Sequence, residues 1–182
     1  MKNFISALIL GIAVTGVSVV QAQSKRTADR STKVEIAVVE FTLGSNVSGM
    51  TAEAKRQLQA TIAFELAETD RFDVYDVRQT RRATNTNLSA INQIGSTSAA
   101  VKAGKALGVS YVLTGMVTEY NTKGSATLNF RLVEVATGKV RSYGEAAQNS
   151  VESMNSGGAR EMHSKVLRPA IARMTGKVTE AI

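Results

Sequence analysis

The chain has 182 residues, 43% of them apolar, and a formal net charge of +7. This length and apolar fraction suit one globular domain with a substantial core. The absence of cysteine excludes disulfides and thiolate metal sites, and a single histidine excludes a histidine-based metal cluster within one chain. We therefore expect no metal site built from these two residue types, and we predict no cofactor for this chain.

The N-terminal segment has the pattern of a secretion signal. Lys2 precedes an apolar run over residues 4–20, and Val20, Gln21 and Ala22 fit a signal-peptidase site. A permanent membrane anchor is the alternative, but the run is at the short end for a span and contains Gly, Ser and Thr. We expect a cleaved signal peptide, and no cysteine follows it to carry a lipid anchor.

These features predict the domain organisation and the compartment. Residues 1–22 are the predicted signal peptide, 23–32 a flexible lead-in, and 33–182 a single domain exported to the periplasm. The basic net charge alone would suit nucleic acid, anionic lipid or an acidic glycan. Export argues against nucleic acid as the partner.

The first half of the predicted domain alternates strands with helices. Residues 34–41 are rich in β-branched side chains and predict a strand that is covered on both faces. Thr51 is placed to cap a helix, and residues 71–77 predict a second, shorter strand. The helix has an apolar stripe with a four-residue repeat, made of Ala54, Leu58, Ile62 and Leu66.

The middle of the chain predicts a weak helical piece, an irregular stretch and a second clear helix. The weak helix covers residues 78–84, and residues 85–95 are polar and predicted to be irregular. Ser96, Thr97 or Ser98 can cap the next helix, which has a face of small side chains. Gly108 stands where a left-handed C-terminal cap is expected.

The second half predicts an antiparallel meander and a closing helix. Residues 109–119 form the next strand, in which Gly115 indicates a bulge or a close backbone approach. The following strand alternates apolar Leu128, Phe130 and Leu132 with polar neighbours, including Arg131. Residues 136–139 form a hairpin turn before the last strand. A final amphipathic helix is interrupted near Arg168 by Pro169.

This order of elements, β-α-β-α-α-β-β-β-α, predicts an α/β (α+β) domain with a mixed five-stranded sheet. Parallel pairing comes first and an antiparallel meander follows.

The sequence lacks the patterns of common catalytic sites. His163 is the only possible imidazole base, and its place on an amphipathic helix favours a structural role over a catalytic one. No Gly-x-Ser-x-Gly elbow, Gly-x-Gly-x-x-Gly fingerprint or Walker loop is present. We predict no catalytic and no cofactor-binding residues.

An acidic run near the end of the first helix allows two interpretations. Acid–base chemistry or calcium binding is one, although the EF-hand spacing is absent. A solvated acidic edge, partly neutralised by Arg71 and Arg78, is favoured. The run consists of Glu65, Glu68, Asp70, Asp73 and Asp76.

Arg78, Arg81 and Arg82 form the compact basic group of the predicted domain. If the segment is helical, their spacing of i, i+3 and i+4 places them on one face. Such a group can bind a carboxylate or phosphate of a partner, although an ordinary solvated face is the favoured interpretation. These arginines are the candidate partner-binding residues.

Four short pieces in order carry a family resemblance. The pieces are 36–41 (Ile-Ala-Val-Val-Glu-Phe), 69–74 (Thr-Asp-Arg-Phe-Asp-Val), 106–115 (Ala-Leu-Gly-Val-Ser-Tyr-Val-Leu-Thr-Gly) and 132–140 (Leu-Val-Glu-Val-Ala-Thr-Gly-Lys-Val). On these pieces, the mature chain resembles the periplasmic domain family that includes the curli secretion protein CsgG and the penicillin-binding-protein activator LpoB. The resemblance implies a three-layer α/β domain that binds other envelope proteins and has no catalytic residues.

Together these observations predict a non-catalytic periplasmic protein-binding domain that assists envelope or surface-structure assembly. Curli-type secretion and activation of a peptidoglycan synthase are the two settings that the resemblance implies. One alternative is a small exported hydrolase that uses the acidic run or His163. The other is a structural subunit of an oligomeric envelope complex. The expected partners are envelope proteins, and a homo-oligomer is possible.

Overall fold

A mixed β-sheet organises the computed structural model, which describes residues 33–93, 96–150, 154–155 and 158–182. The predicted signal peptide and lead-in lie outside the described residues. The strands are β1 (Val34–Val38), β2 (Thr42–Leu43), β3 (Phe72–Val74), β4 (Tyr111–Asn121), β5 (Ser125–Glu134) and β6 (Val140–Asn149).

Helices lie between the strands and after them. They are α1 (Ala52–Glu68), α2 (Val77–Thr84), α3 (Leu88–Asn92), α4 (Ser98–Leu107), α5 (Ala159–Met162) and α6 (Arg168–Glu180). A 3₁₀ turn (Asn85–Asn87) joins α2 to α3, and a π-helical turn (His163–Leu167) joins α5 to α6. No helix in these described ranges is long and apolar enough to cross a membrane.

The strand order is β3-β1-β4-β5-β6, and the short β2 pairs separately with β4. β1 runs parallel to β3 and β4, whereas β4, β5 and β6 form an antiparallel meander. The predicted mixed α/β sheet is therefore confirmed, with β2 as an additional strand.

Two apolar clusters on opposite faces of the sheet produce the three layers. On the first face, α1 and α6 pack against alternate strand residues such as Ile36 and Leu128. On the second face, α3 and α4 pack against Ala37 and Val133. Because neighbouring residues of a strand point to opposite faces, the continuous apolar run of β1 serves both clusters.

The first strand is shorter than predicted. β1 ends at Val38, and the chain pairs with β4 again only at β2, where Thr42 is opposite Met116. Phe41 is buried between the two strands, and its ring occupies the space where Gly115 lacks a side chain. The prediction of one strand over residues 34–41 was wrong because this packing against β4 interrupts the ladder.

The prediction of an irregular stretch over residues 85–95 was also wrong in part. The segment contains the 3₁₀ turn and α3, which places Ile91 and Asn92 in buried positions. Few apolar residues mark this stretch, so the sequence shows little helical periodicity. Packing of Ile91 against the sheet stabilises α3, which the local sequence pattern alone does not predict.

The helix caps and the interruption of the closing helix match their predictions. The Thr51 hydroxyl accepts a hydrogen bond from the Ala54 amide at 3.1 Å, and Gly108 has a φ of 71°. The π-helical turn lies directly before α6 and contains Lys165, four residues before Pro169. A proline cannot donate to that carbonyl and crowds it, which explains a break at this point.

Candidate partner-binding site

The predicted arginine group lies on α2. This helix begins where the Asp76 carboxylate accepts a hydrogen bond from the Gln79 amide at 2.8 Å. Its buried side consists of Thr80 and Thr84, whose hydroxyls each donate to a carbonyl four residues earlier. The arginines therefore point away from the core. Arg78 and Arg82 are exposed, and Arg81 is half-buried.

Two of these arginines border a hollow of about 380 Å³. Arg81 and Arg82 line it together with Glu40, whereas Arg78 does not. Lys55 already pairs with the Glu40 carboxylate at 3.2 Å. No ion pair forms between these arginines and an acidic residue of the described part of the chain. The segment is helical, which is the condition under which the three arginines share one face. Binding of a partner by these arginines stays a prediction.

His163 bridges two helical segments on the first face of the sheet. Its Nε2 lies 2.9 Å from the Thr61 hydroxyl of α1. That hydroxyl carries a single hydrogen and donates it to the Gln57 carbonyl at 2.9 Å. The hydrogen-bond network therefore assigns Nε2 as the donor to Thr61.

This arrangement is the reverse of a nucleophile–base pair, in which the imidazole accepts a proton from the hydroxyl. Burial, followed by the nearby Arg168, lowers the pKa of His163. Both effects favour the neutral imidazole. The geometry thus gives His163 a structural role between α1 and the π-helical turn.

The acidic run is spread along an edge of the domain. Glu65 pairs with Arg168 at 3.4 Å and Asp70 with Lys33 at 3.0 Å. Arg71, which the sequence suggested as a neutralising cation, instead donates to the Thr179 carbonyl at 2.9 Å. Asp76 is the cap of α2. Among the residues that the structure describes, no group of three His, Cys, Asp or Glu is arranged to hold a metal ion.

A larger groove, which the sequence analysis did not single out, lies on the second face of the sheet. It has a volume of about 620 Å³, within the usual range for binding clefts. We call it the β5–β6 groove. The residues that matter for its chemistry are Asn92, Met116, Asn129, Arg131, Val140 and Tyr143.

Arg131 is the buried cation in the wall of this groove, and the exposed Glu145 carboxylate also lines it. It is only 7% exposed, and its Nη2 donates to the Ile91 carbonyl of α3 at 2.7 Å. Burial lowers the pKa of the Arg131 guanidinium. A guanidinium has several N–H donors in a planar fork, and one neutral carbonyl satisfies only part of them.

Apolar side chains stand beside this cation. Tyr143 of β6 is directly opposite Arg131 in the antiparallel register and is 81% exposed. Val140, opposite Val133, is 39% exposed. The sequence places Arg131 and Asn129 together on the polar face of β5, because residues two apart in a strand share a face. Alternation alone could not show that α3 would bury this arginine.

The comparisons with known proteins agree with this fold. A family model described as the TolB amino-terminal domain matches residues 27–141, which is more than half of the chain. The chain belongs to the TolB amino-terminal domain family. A search of the curated proteins returned no significant match.

Several solved structures are similar to this member of the TolB amino-terminal domain family. The crystal structure of lipoprotein GNA1162 from Neisseria meningitidis has a TM-score of 0.50 and 25% identity, over 68% of this chain and 84% of that chain. The PelC dodecamer from Paraburkholderia phytofirmans has a TM-score of 0.50 and 16% identity, over 78% of this chain and 87% of that chain. The NMR structure of E. coli LpoB has a TM-score of 0.51 and 16% identity, over 81% of this chain and 82% of that chain.

At 16% identity, the likenesses to PelC and LpoB show a shared fold and nothing more. The LpoB part of the resemblance predicted from the sequence is supported at that level. The part that names CsgG stays a prediction.

Proposed function

We propose that this protein is a non-catalytic, exported domain that binds other proteins in the cell envelope. The observation that carries the proposal is the exposed arginine face of α2. Its guanidinium groups have no acidic partner in the described ranges, and Arg81 and Arg82 border a hollow. Guanidinium groups bind carboxylates through paired, directional hydrogen bonds, which suits recognition of an acidic protein surface.

Membership of the TolB amino-terminal domain family supports this proposal, as does the structural role of His163. The proposed periplasmic location rests on the predicted signal peptide over residues 1–22. The proposal includes assistance in envelope or surface assembly. Curli-type secretion and peptidoglycan-synthase activation remain the two settings suggested by the sequence resemblance.

The test is capture of envelope proteins by the purified protein at low and high salt. The test variant replaces Arg78, Arg81 and Arg82 with Gln, which removes the charges but retains long side chains. We expect the wild-type protein to capture a defined partner, and the variant to capture much less of it at low salt. Surface charge pairs are screened by salt, so the difference should shrink at high salt.

A matched control removes three cations elsewhere. Lys102, Lys105 and Arg160 are exposed in the structure, and their replacement with Gln gives the same change in net charge. Equal loss of capture in both variants would show that only net charge matters and would reject the arginine face. If the wild-type protein captures no partner, the proposed function itself fails.

A second candidate function is a structural subunit of a homo-oligomer. The similar PelC structure is a dodecamer, although that likeness extends only to the fold. Light scattering after size-exclusion chromatography distinguishes this homo-oligomer subunit from a monomeric protein-binding domain. A ring-sized particle formed by the protein alone would favour this candidate, and a monomer would reject it.

A further inference from the structure

Arg131 is a buried charge without a carboxylate partner. No described Asp or Glu lies within ion-pair distance of its guanidinium, and the Ile91 carbonyl is its one hydrogen-bond acceptor among the described residues. Glu145 lines the groove on the same face of β6 as Tyr143, opposite Asn129, but its side chain is exposed and does not pair with Arg131. Burying an unpaired charge is costly. An incoming carboxylate would supply the missing counter-charge.

The surroundings of Arg131 restrict the kind of anion. Val140 and Tyr143 are two of the three large apolar residues that are substantially exposed in the described part of the chain, and both line the β5–β6 groove. Exposed apolar side chains that border a few buried polar groups, here Arg131 and Asn92, are typical of a recognition site. A nucleic acid or polyphosphate would need several cations, because each phosphate carries its own charge. Among the described residues that line the groove, Arg131 is the one cation, which suits one carboxylate.

The edge of the sheet beside the groove is partly closed to strand addition. Lys177 of α6 donates to the Glu145 carbonyl at 3.2 Å, and Arg173 donates to the Ala147 carbonyl. These carbonyls point outward from β6 and are already bonded, so an added strand would have to displace both side chains. A partner segment therefore has better access through the face of the sheet, where its side chains reach the groove.

We propose that the β5–β6 groove binds a segment of a partner protein that has one acidic side chain next to an apolar one. The acidic carboxylate pairs with Arg131, the Asn129 amide lies nearby for a further hydrogen bond, and the apolar side chain packs on Tyr143 and Val140. This inference rests on the proposed protein-binding function and assigns to it a second surface, distinct from the arginine face of α2.

Short peptides of defined sequence test the proposal by calorimetry or NMR titration. The probe is Ac-Gly-Leu-Glu-Leu-Gly-NH₂, and its matched control has Gln in place of Glu. We expect the Glu peptide to bind at least about tenfold more tightly than the Gln peptide, which corresponds to about 1.4 kcal/mol. Equal affinities, or no binding of the Glu peptide at millimolar concentration, would overturn the proposal.

Protein variants place the binding in the groove. Tyr143→Ala removes an exposed ring and should weaken binding of the Glu peptide several-fold without loss of stability. Phe64→Ala removes another exposed ring, from α1 in the opposite layer, and should leave binding unchanged. Arg131→Met should abolish the preference for Glu over Gln. If Arg131→Met does not fold, comparing Tyr143→Ala with Phe64→Ala, each titrated with the Glu and Gln peptides, still tests whether the peptide binds in the groove. Equal effects of the two ring deletions would overturn the assignment.

A third peptide, Ac-Gly-Leu-Gln-Leu-Gly with a free C-terminal carboxylate, separates a chain terminus from an acidic side chain. Tighter binding of this peptide than of the Glu peptide would overturn the proposed source of the carboxylate. Failure of all the peptides, with capture of an envelope protein through α2 intact, would reject the groove and leave the proposed function standing.

Discussion

Asn92 provides the hydrogen-bond partner that Gly115 would otherwise obtain from a neighbouring strand. Its Oδ1 accepts from the Gly115 amide at 2.9 Å, and its Nδ2 donates to the Glu40 carbonyl at 2.8 Å. Glu40 lies between β1 and β2, where the ladder along β4 is interrupted. One side chain of α3 thus satisfies a backbone group on each side of the gap, as buried polar groups require.

Replacement of Asn92 by Ala should destabilise the domain strongly. It leaves the Gly115 amide and the Glu40 carbonyl without their partner, and each unsatisfied buried group costs about 1–3 kcal/mol. We expect the free energy of unfolding, measured by urea titration and circular dichroism, to fall by about 2–4 kcal/mol. Asn87→Ala, in the exposed 3₁₀ turn, is the matched control and should change stability little. A similar small effect in both variants would contradict this role.

Substitutions at two glycines should have opposite effects on stability. A Cβ on Gly115 would lie 2.3 Å from the Asn129 carbonyl oxygen and 2.6 Å from the Phe41 ring, so backbone and core must shift. We expect Gly115→Ala to cost at least about 1–3 kcal/mol, as overpacking does. Gly176 lies within α6 with nothing within 4 Å of its added Cβ, so Gly176→Ala should stabilise by about 0.5–1 kcal/mol. Thermal unfolding of both variants measures the difference. A tolerated Gly115→Ala would refute the close approach.

Local sequence patterns predicted the parts of the fold that local physics determines. The alternation of Leu128, Phe130 and Leu132 identified the face of β5 that packs under α1 and α6. Gly108 marked the end of α4 because a left-handed residue is required there. Thr51 marked the start of α1 through its side-chain bond.

The features that the sequence did not reveal depend on residues far apart in the chain. Asn92 and Glu40 are separated by 52 positions, so nothing in residues 85–95 indicated that α3 closes a gap in the sheet. Arg131 resembled any polar residue on an alternating strand until α3 covered it. The arginines of α2 were visible as a helical group, but the hollow beside Arg81 and Arg82 also needs Glu40 from the segment between β1 and β2.

His163 should titrate below the ordinary histidine pKa, because burial disfavours the charged imidazolium. The chain has one histidine, so its NMR signal can be assigned directly during a pH titration. The unfolded chain then binds more protons than the folded one as the pH falls through about 6.5. The contribution of the neutral imidazole to the free energy of unfolding is therefore present above about pH 6.5 and is lost as the pH falls below it.

The same linkage predicts a change in stability with pH that a single substitution should reduce. Between about pH 7 and pH 5, the wild-type midpoint of unfolding should fall, since protonation favours the unfolded state in this window. His163→Gln keeps an N–H donor for Thr61 but does not titrate, so its midpoint should fall less. A signal that titrates above 6.5 would contradict the half-buried, neutral imidazole. Parallel pH curves for the two proteins would show that another group causes the acid sensitivity.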